Sequence, residues 1–277
     1  MKHCFLLLAA MLMIQFAVAQ ALDIDRLWMD HTYVRGTDCQ IRNGLLYVTN
    51  DRIADQSAPG LDLIIFDLSD PQRIAALSYL DLDAPPSIAL ALCASRAVVI
   101  HDNGLLSTID TTDPVLPVFV AAVQNPASIV AHQVLGSYLY VYDNDGYLRC
   151  YSMIGLDLLA SLWIGSGYES MAFCGTRAYL SSTAPDFRCL NITKPTAPTD
   201  LGTIGNAVGL QITASYNDTL ICKDTYGSVV RFYDVSSPST ALLVLTWTPN
   251  MQVGLMRMDA DAGNLVIYTE GYLSDYY

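Results

Sequence analysis

A short phrase recurs along this chain with a period of about 40 residues, and such self-similarity constrains the fold before anything else does. It reads LDLIIFDLSDP at 61–71, GLLSTIDTTDP at 104–114, DFRCLNITKP at 186–195 and SVVRFYDVSSP at 228–238, with a worn copy, YLRCYSMIG, at 147–155. Each copy is an apolar strand ending in a short polar residue, usually followed by a turn with proline. The polar residue is Asp67, Asp110, Ser152, Asn191 or Asp234, at spacings of 43, 42, 39 and 43. A period of this length means a solenoid, a propeller or an array of stacked units.

A second strand precedes each phrase: GLLYVTND at 44–51, RAVVIHDNG at 96–104, SYLYVYDNDG at 137–146, RAYLSSTAPD at 177–186, DTLICKDTYG at 218–227 and NLVIYTEGY at 264–272. Another apolar strand lies before each of these, as in SIALALCAS at 87–95, and a fourth follows the proline turn, as in LDLLASLWIG at 156–165. Runs such as LIIF and VVI are apolar on both faces, as strands covered on both sides should be. Four antiparallel strands per repeat at this length describe a propeller blade. The 258 residues after position 19 equal six units of 43. The expected fold is therefore all-β, a six-bladed β-propeller with four antiparallel strands per blade.

The chain ends sharpen this expectation. YLSDYY at 272–277 matches the third strand YLRCYS, and LDIDRLWMD at 22–30 matches the fourth strand LDLLASLWIG. Trp28, Trp163 and Trp247 fall at nearly the same place in a fourth strand, with Tyr79 there in the first blade. The N-terminal strand is thus expected to close the last blade and remove an open sheet edge.

Residues 1–19 read as a secretory signal peptide. Lys2 and His3 precede an apolar stretch from Phe5 to Val18, and Ala17-Val18-Ala19 is a small-residue cleavage site. The stretch is shorter than the roughly 20 residues needed to span a bilayer. The expected domain is 20–277, in a secreted, periplasmic or cell-surface protein without a membrane span. Its acidic residues are 25 Asp against Glu169 and Glu270, and the net charge of the full chain is −13. Asp favours turns and strand ends, and the charge excludes a nucleic-acid partner. Six cysteines follow the leader, Cys39, Cys93, Cys150, Cys174, Cys189 and Cys222, with no CxxC pair. Cys93 and Cys174 share one repeat position and Cys150 and Cys189 another, which suits core thiols, although an oxidising compartment also permits bridges.

The strings LIIFDLSDP, STIDTTDP and VVRFYDVSSP resemble the LVIVD repeat of secreted bacterial β-propellers, and LYVTND at 46–51 resembles the YVTN repeat of surface-layer propellers. The resemblance covers most of residues 22–277. It implies a propeller with a secreted or surface binding or scaffold role. Ser152 and Asn191 depart from the usual Asp.

The repeated Asp67, Asp110 and Asp234 suit hydrogen bonding to the backbone of the following turn. Asp143-Asn144-Asp145-Gly146 resembles the opening of a calcium loop, so Asp143 and Asp145 are candidate metal ligands. An Asp-Gly pair between strands is equally a hairpin signal, and His101-Asp102-Asn103-Gly104 is the same turn one blade earlier. Loops between second and third strands and between blades share one face of a propeller. That face carries Asp51, Asp55, Asp83, Asp102, Asp143, Asp145, Glu169, Asp186, Asp224 and Glu270, with Tyr168 and Tyr226 nearby. It would draw cations or basic partners, and its longest loop, 50–60, suits contact with a partner. No HExxH, GxSxG, P-loop or GxGxxG pattern is present. Of the histidines, His132 suits a core or channel position, while His31 and His101 suit the acidic face. Two sequons, at Asn191 and Asn217, read as chance matches. The leading expectation is a non-catalytic binding or scaffold module for a protein or surface polymer, with no cofactor or with calcium. The alternatives are a metal-dependent hydrolase or lactonase with its site at the channel mouth, and a surface protein with no discrete ligand.

Overall fold

The computed structural model describes residues 36–50, 62–70, 74–182, 186–205, 210–224, 229–248, 258–261 and 264–267. The leader, the closing segment 22–30 with Trp28, His31, the 272–277 strand, Asp51, Asp55, Tyr226 and Glu270 lie outside the described residues. The chain divides into two units, 1–124 and 125–277.

In the first unit, β1 (Gly36–Arg42), β2 (Leu45–Asn50), β3 (Leu63–Asp67) and β4 (Ala75–Leu80) form one four-stranded antiparallel sheet. Strands β5 (Ser87–Cys93), β6 (Arg96–His101), β7 (Leu105–Asp110) and β8 (Val118–Gln124) form another. In the second unit, β9 (Ile129–Leu135), β10 (Tyr138–Asp143), β11 (Tyr147–Ser152) and β12 (Leu158–Trp163) make the third sheet. The fourth consists of β13 (Tyr168–Cys174), β14 (Arg177–Ser182), β15 (Phe187–Asn191) and β16 (Thr199–Ile204). The fifth consists of β17 (Leu210–Tyr216), β18 (Thr219–Asp224), β19 (Val230–Asp234) and β20 (Leu242–Trp247). A two-stranded hairpin follows, β21 (Met258–Asp261) and β22 (Asn264–Ile267). Five complete four-stranded sheets, each in sequential order, thus appear among the described residues, with no helix.

Second strands are the most buried elements. Ala97 to His101 in β6, Leu139 to Asp143 in β10 and Ala178 to Ser182 in β14 are buried throughout. Side chains alternate across a strand, so burial at every position requires cover on both faces. Neighbouring sheets provide it. In the first unit Tyr47, Leu63 and Ile65 share a core with Leu90, Val99 and Ile109. In the second, Tyr140, Tyr142, Leu148 and Cys150 pack with Met171, Ala178, Leu180 and Leu190, while Tyr179, Phe187 and Cys189 pack with Ile212, Leu220, Cys222 and Tyr233. Each such large side chain contributes about 1.5–3 kcal/mol on full burial.

The repeated polar residue has one function in all five sheets. Asp67, Asp110, Ser152, Asn191 and Asp234 each accept the backbone N–H two residues on, from Ser69 (2.8 Å), Thr112 (2.9 Å), Ile154 (3.3 Å), Thr193 (3.0 Å) and Ser236 (2.8 Å). A side-chain oxygen on a short stem is all this turn needs. Ser152 and Asn191 therefore substitute for Asp without altering the fold.

Sheets are also joined by side chains that bond to a neighbour's backbone. Gln40 Nε2 donates to the Leu90 carbonyl (2.6 Å), and the Leu90 N–H donates to Asp38 Oδ2 (2.9 Å). Gln133 makes the first bond again, to the Met171 carbonyl (3.4 Å). Ser170 makes the second, accepting the Ile212 N–H (2.8 Å). The six cysteines are free thiols; Cys39 is exposed and the other five are buried. Cys39 thus departs from the expectation of core thiols, because it lies on the half-covered first strand β1.

Trp163 and Trp247, expected at nearly the same place in a fourth strand, are offset by one residue. Trp163 lies opposite Tyr147, and Trp247 lies opposite Val230. The counterpart of Val230 in the repeat is Leu148, so the two tryptophans differ by one residue. A one-residue shift sends a side chain to the other face of a sheet, so they are not equivalent.

Candidate functional site

The loop ends of the strands, where the acidic residues were expected, are built around the last residue of each second strand. In β6 this residue is His101, which is fully buried. Its Nδ1 lies 2.6 Å from the Pro85 carbonyl and its Nε2 3.1 Å from Ser107 Oγ. Since a carbonyl only accepts, Nδ1 carries a proton and donates it to Pro85, while Nε2 pairs with the Ser107 hydroxyl. His101 thus ties a second strand, a third strand and the preceding connection together.

Asp143 occupies the same place in β10 and is also fully buried. Its Oδ1 accepts the Tyr147 N–H (3.0 Å), and its Oδ2 accepts from Arg149 Nε (2.7 Å) and Asn125 Nδ2 (3.3 Å). Arg149 also donates to Ser161 Oγ (3.0 Å) and lies over the Tyr147 ring. Tyr151 donates to Asn125 Oδ1 (2.8 Å). The group is a closed network in which each charge has a partner, the condition under which a buried pair is tolerated.

Asp145, by contrast, is exposed on the turn. The turn closes through Gly146 N–H to the Asp143 carbonyl (3.0 Å), and its twin closes through Gly104 N–H to the His101 carbonyl (3.0 Å). Asp143-Asn144-Asp145-Gly146 is thus a hairpin turn that places its two carboxylates in different surroundings. Gly146 has φ +85° and a Cβ there would lie 2.7 Å from the Gly165 carbonyl carbon, so only glycine fits.

The other predicted residues are spread along the loop ends. Asp102 is exposed on the β6–β7 turn and its N–H donates to the Pro86 carbonyl (3.0 Å). Tyr168 opens β13 half-buried, its ring edge-on to Tyr142 at 5.7 Å. Glu169 is exposed and accepts from Gln211 Nε2 (3.3 Å). Asp186 precedes β15, half-buried. Asp224 ends β18 and its Oδ1 accepts the Val229 N–H (3.1 Å). Asp83 is exposed and its N–H donates to Asp81 Oδ1 (2.9 Å). Among the described residues no three His, Cys, Asp or Glu side chains gather closely enough to hold a metal ion.

Arg149 and Asn125 were missed in the sequence, although one signal was available. Arg149 is a lone cation in the apolar string YLRCYS, six residues after Asp143, and a strand covered on both sides accepts a cation only beside an anion.

No family model matches the chain, and no curated protein matches it. The fold does match solved structures. A functionally unknown protein from Desulfotomaculum acetoxidans aligns at 16% identity and TM-score 0.63, over 75% of this chain and 69% of the other. A protein from Lactobacillus plantarum aligns at 16% and 0.63, over 82% and 74%. The β-propeller domain of Cps50 (Swd1) from Myceliophteria thermophila aligns at 14% and 0.56, over 81% and 77%. No described helix is long and apolar enough to cross a membrane. At these identities the likeness is one of architecture, and the architecture is that of a β-propeller.

Proposed function

We propose that this protein is a secreted or cell-surface, non-catalytic binding or scaffold module of the LVIVD type, whose acidic loops engage a protein or surface polymer. The observation that carries this reading is how the carboxylates are used. The buried ones already accept protein donors: Asp38 from Leu90 N–H, Asp62 from Leu82 N–H (2.6 Å), and Asp143 from Arg149 and Asn125. Three of the exposed ones, Asp102, Asp145 and Glu169, each sit on a separate sheet. A metal-dependent hydrolase needs several oxygens around one ion with room for water and substrate. Separate exposed carboxylates on a chain of net charge −13 instead favour attraction of basic surfaces.

The full form of this reading has six blades. Strand β21 lies beside β17, as β13 lies beside β9 and β17 beside β13, so the hairpin β21–β22 takes the place of the first two strands of a sixth blade. The repeat in the sequence assigns the other two strands to 272–277 and 22–30, which lie outside the described residues.

Two measurements on residues 20–277 test the function. The wild type is expected to be retained on immobilised polylysine at low salt and released as screening increases. The variant carrying Asp102→Lys, Asp145→Lys and Glu169→Lys should pass through. A metal-stripped thermal melt should not shift with millimolar calcium. A bound ion at 100-fold over its Kd would add about 2.7 kcal/mol, and a shift of several degrees would revive the hydrolase reading.

A further inference from the structure

We draw no further inference here: the strongest candidate, the exposed apolar run of Val115, Leu116, Val118, Phe119 and Val120 leading into β8 at the outer edge of the second sheet, is an unpartnered surface, and nothing in the structure shows what covers it.

Discussion

Arg149 is held inside its sheet by Asp143, and the pair is worth most when one member is removed. Asp143→Ala leaves a guanidinium 10% exposed without its anion, so unfolding in denaturant should show a loss of about 3–5 kcal/mol. Replacing both together, Asp143→Leu with Arg149→Met, should recover most of that loss, because no charge is then stranded. Recovery in the double variant would separate a structural pair from one kept for a ligand. Gly146→Ala should fail in a different way. It forces a side chain against the backbone of Gly165 at a positive φ, and the melt should fall although no charge or hydrogen bond is removed.

Among the elements, second and third strands were legible because their phrase repeats and most of their side chains are buried. Outer strands were less so. Tyr79, Trp163 and Trp247 sit on largely exposed strands, where little selects one register over the next, and matching by residue type brought Trp163 and Trp247 to nearly the same place, one residue short of their pairing. The partner of Asp143 was hidden for a related reason. The four-residue run shows which oxygens lie close in sequence, but the cation that takes Asp143 comes from the next strand. Burial also sets the chemistry of the thiols. It pushes Cys150 up to about 11 and Cys174 up to about 12, and raises Cys189 and Cys222 as well. Iodoacetamide at pH 8 should therefore label Cys39 in the native protein and the others only after denaturation, read by peptide mass spectrometry.

For the whole molecule, acid is the condition to which the repeat is tuned. The Ser69 N–H holds Asp67 below the usual carboxylate range, and the Ser236 N–H does the same for Asp234. The Arg96 guanidinium and then Thr112 hold Asp110 lower still. Carboxylates depressed in the folded state stabilise it above their unfolded value, about 3.9. That contribution is lost as pH falls through the folded values. Melting temperature should thus be level from neutral pH to about 5 and drop below about 4, with a smaller drop when Asp67, Asp110 and Asp234 are all replaced by Asn. The bonds from Gln40, Asp38, Gln133 and Ser170 to the backbone of the next sheet have a consequence of another kind. Each joint reads a peptide group, which every residue possesses, and so makes no demand on the identity of its neighbour. A unit copied, lost or transplanted from another gene would meet the same peptide group at the same height. Duplicates joined this way are free to drift apart in sequence, as these have, and a lineage could gain or lose a sheet without inventing a new interface.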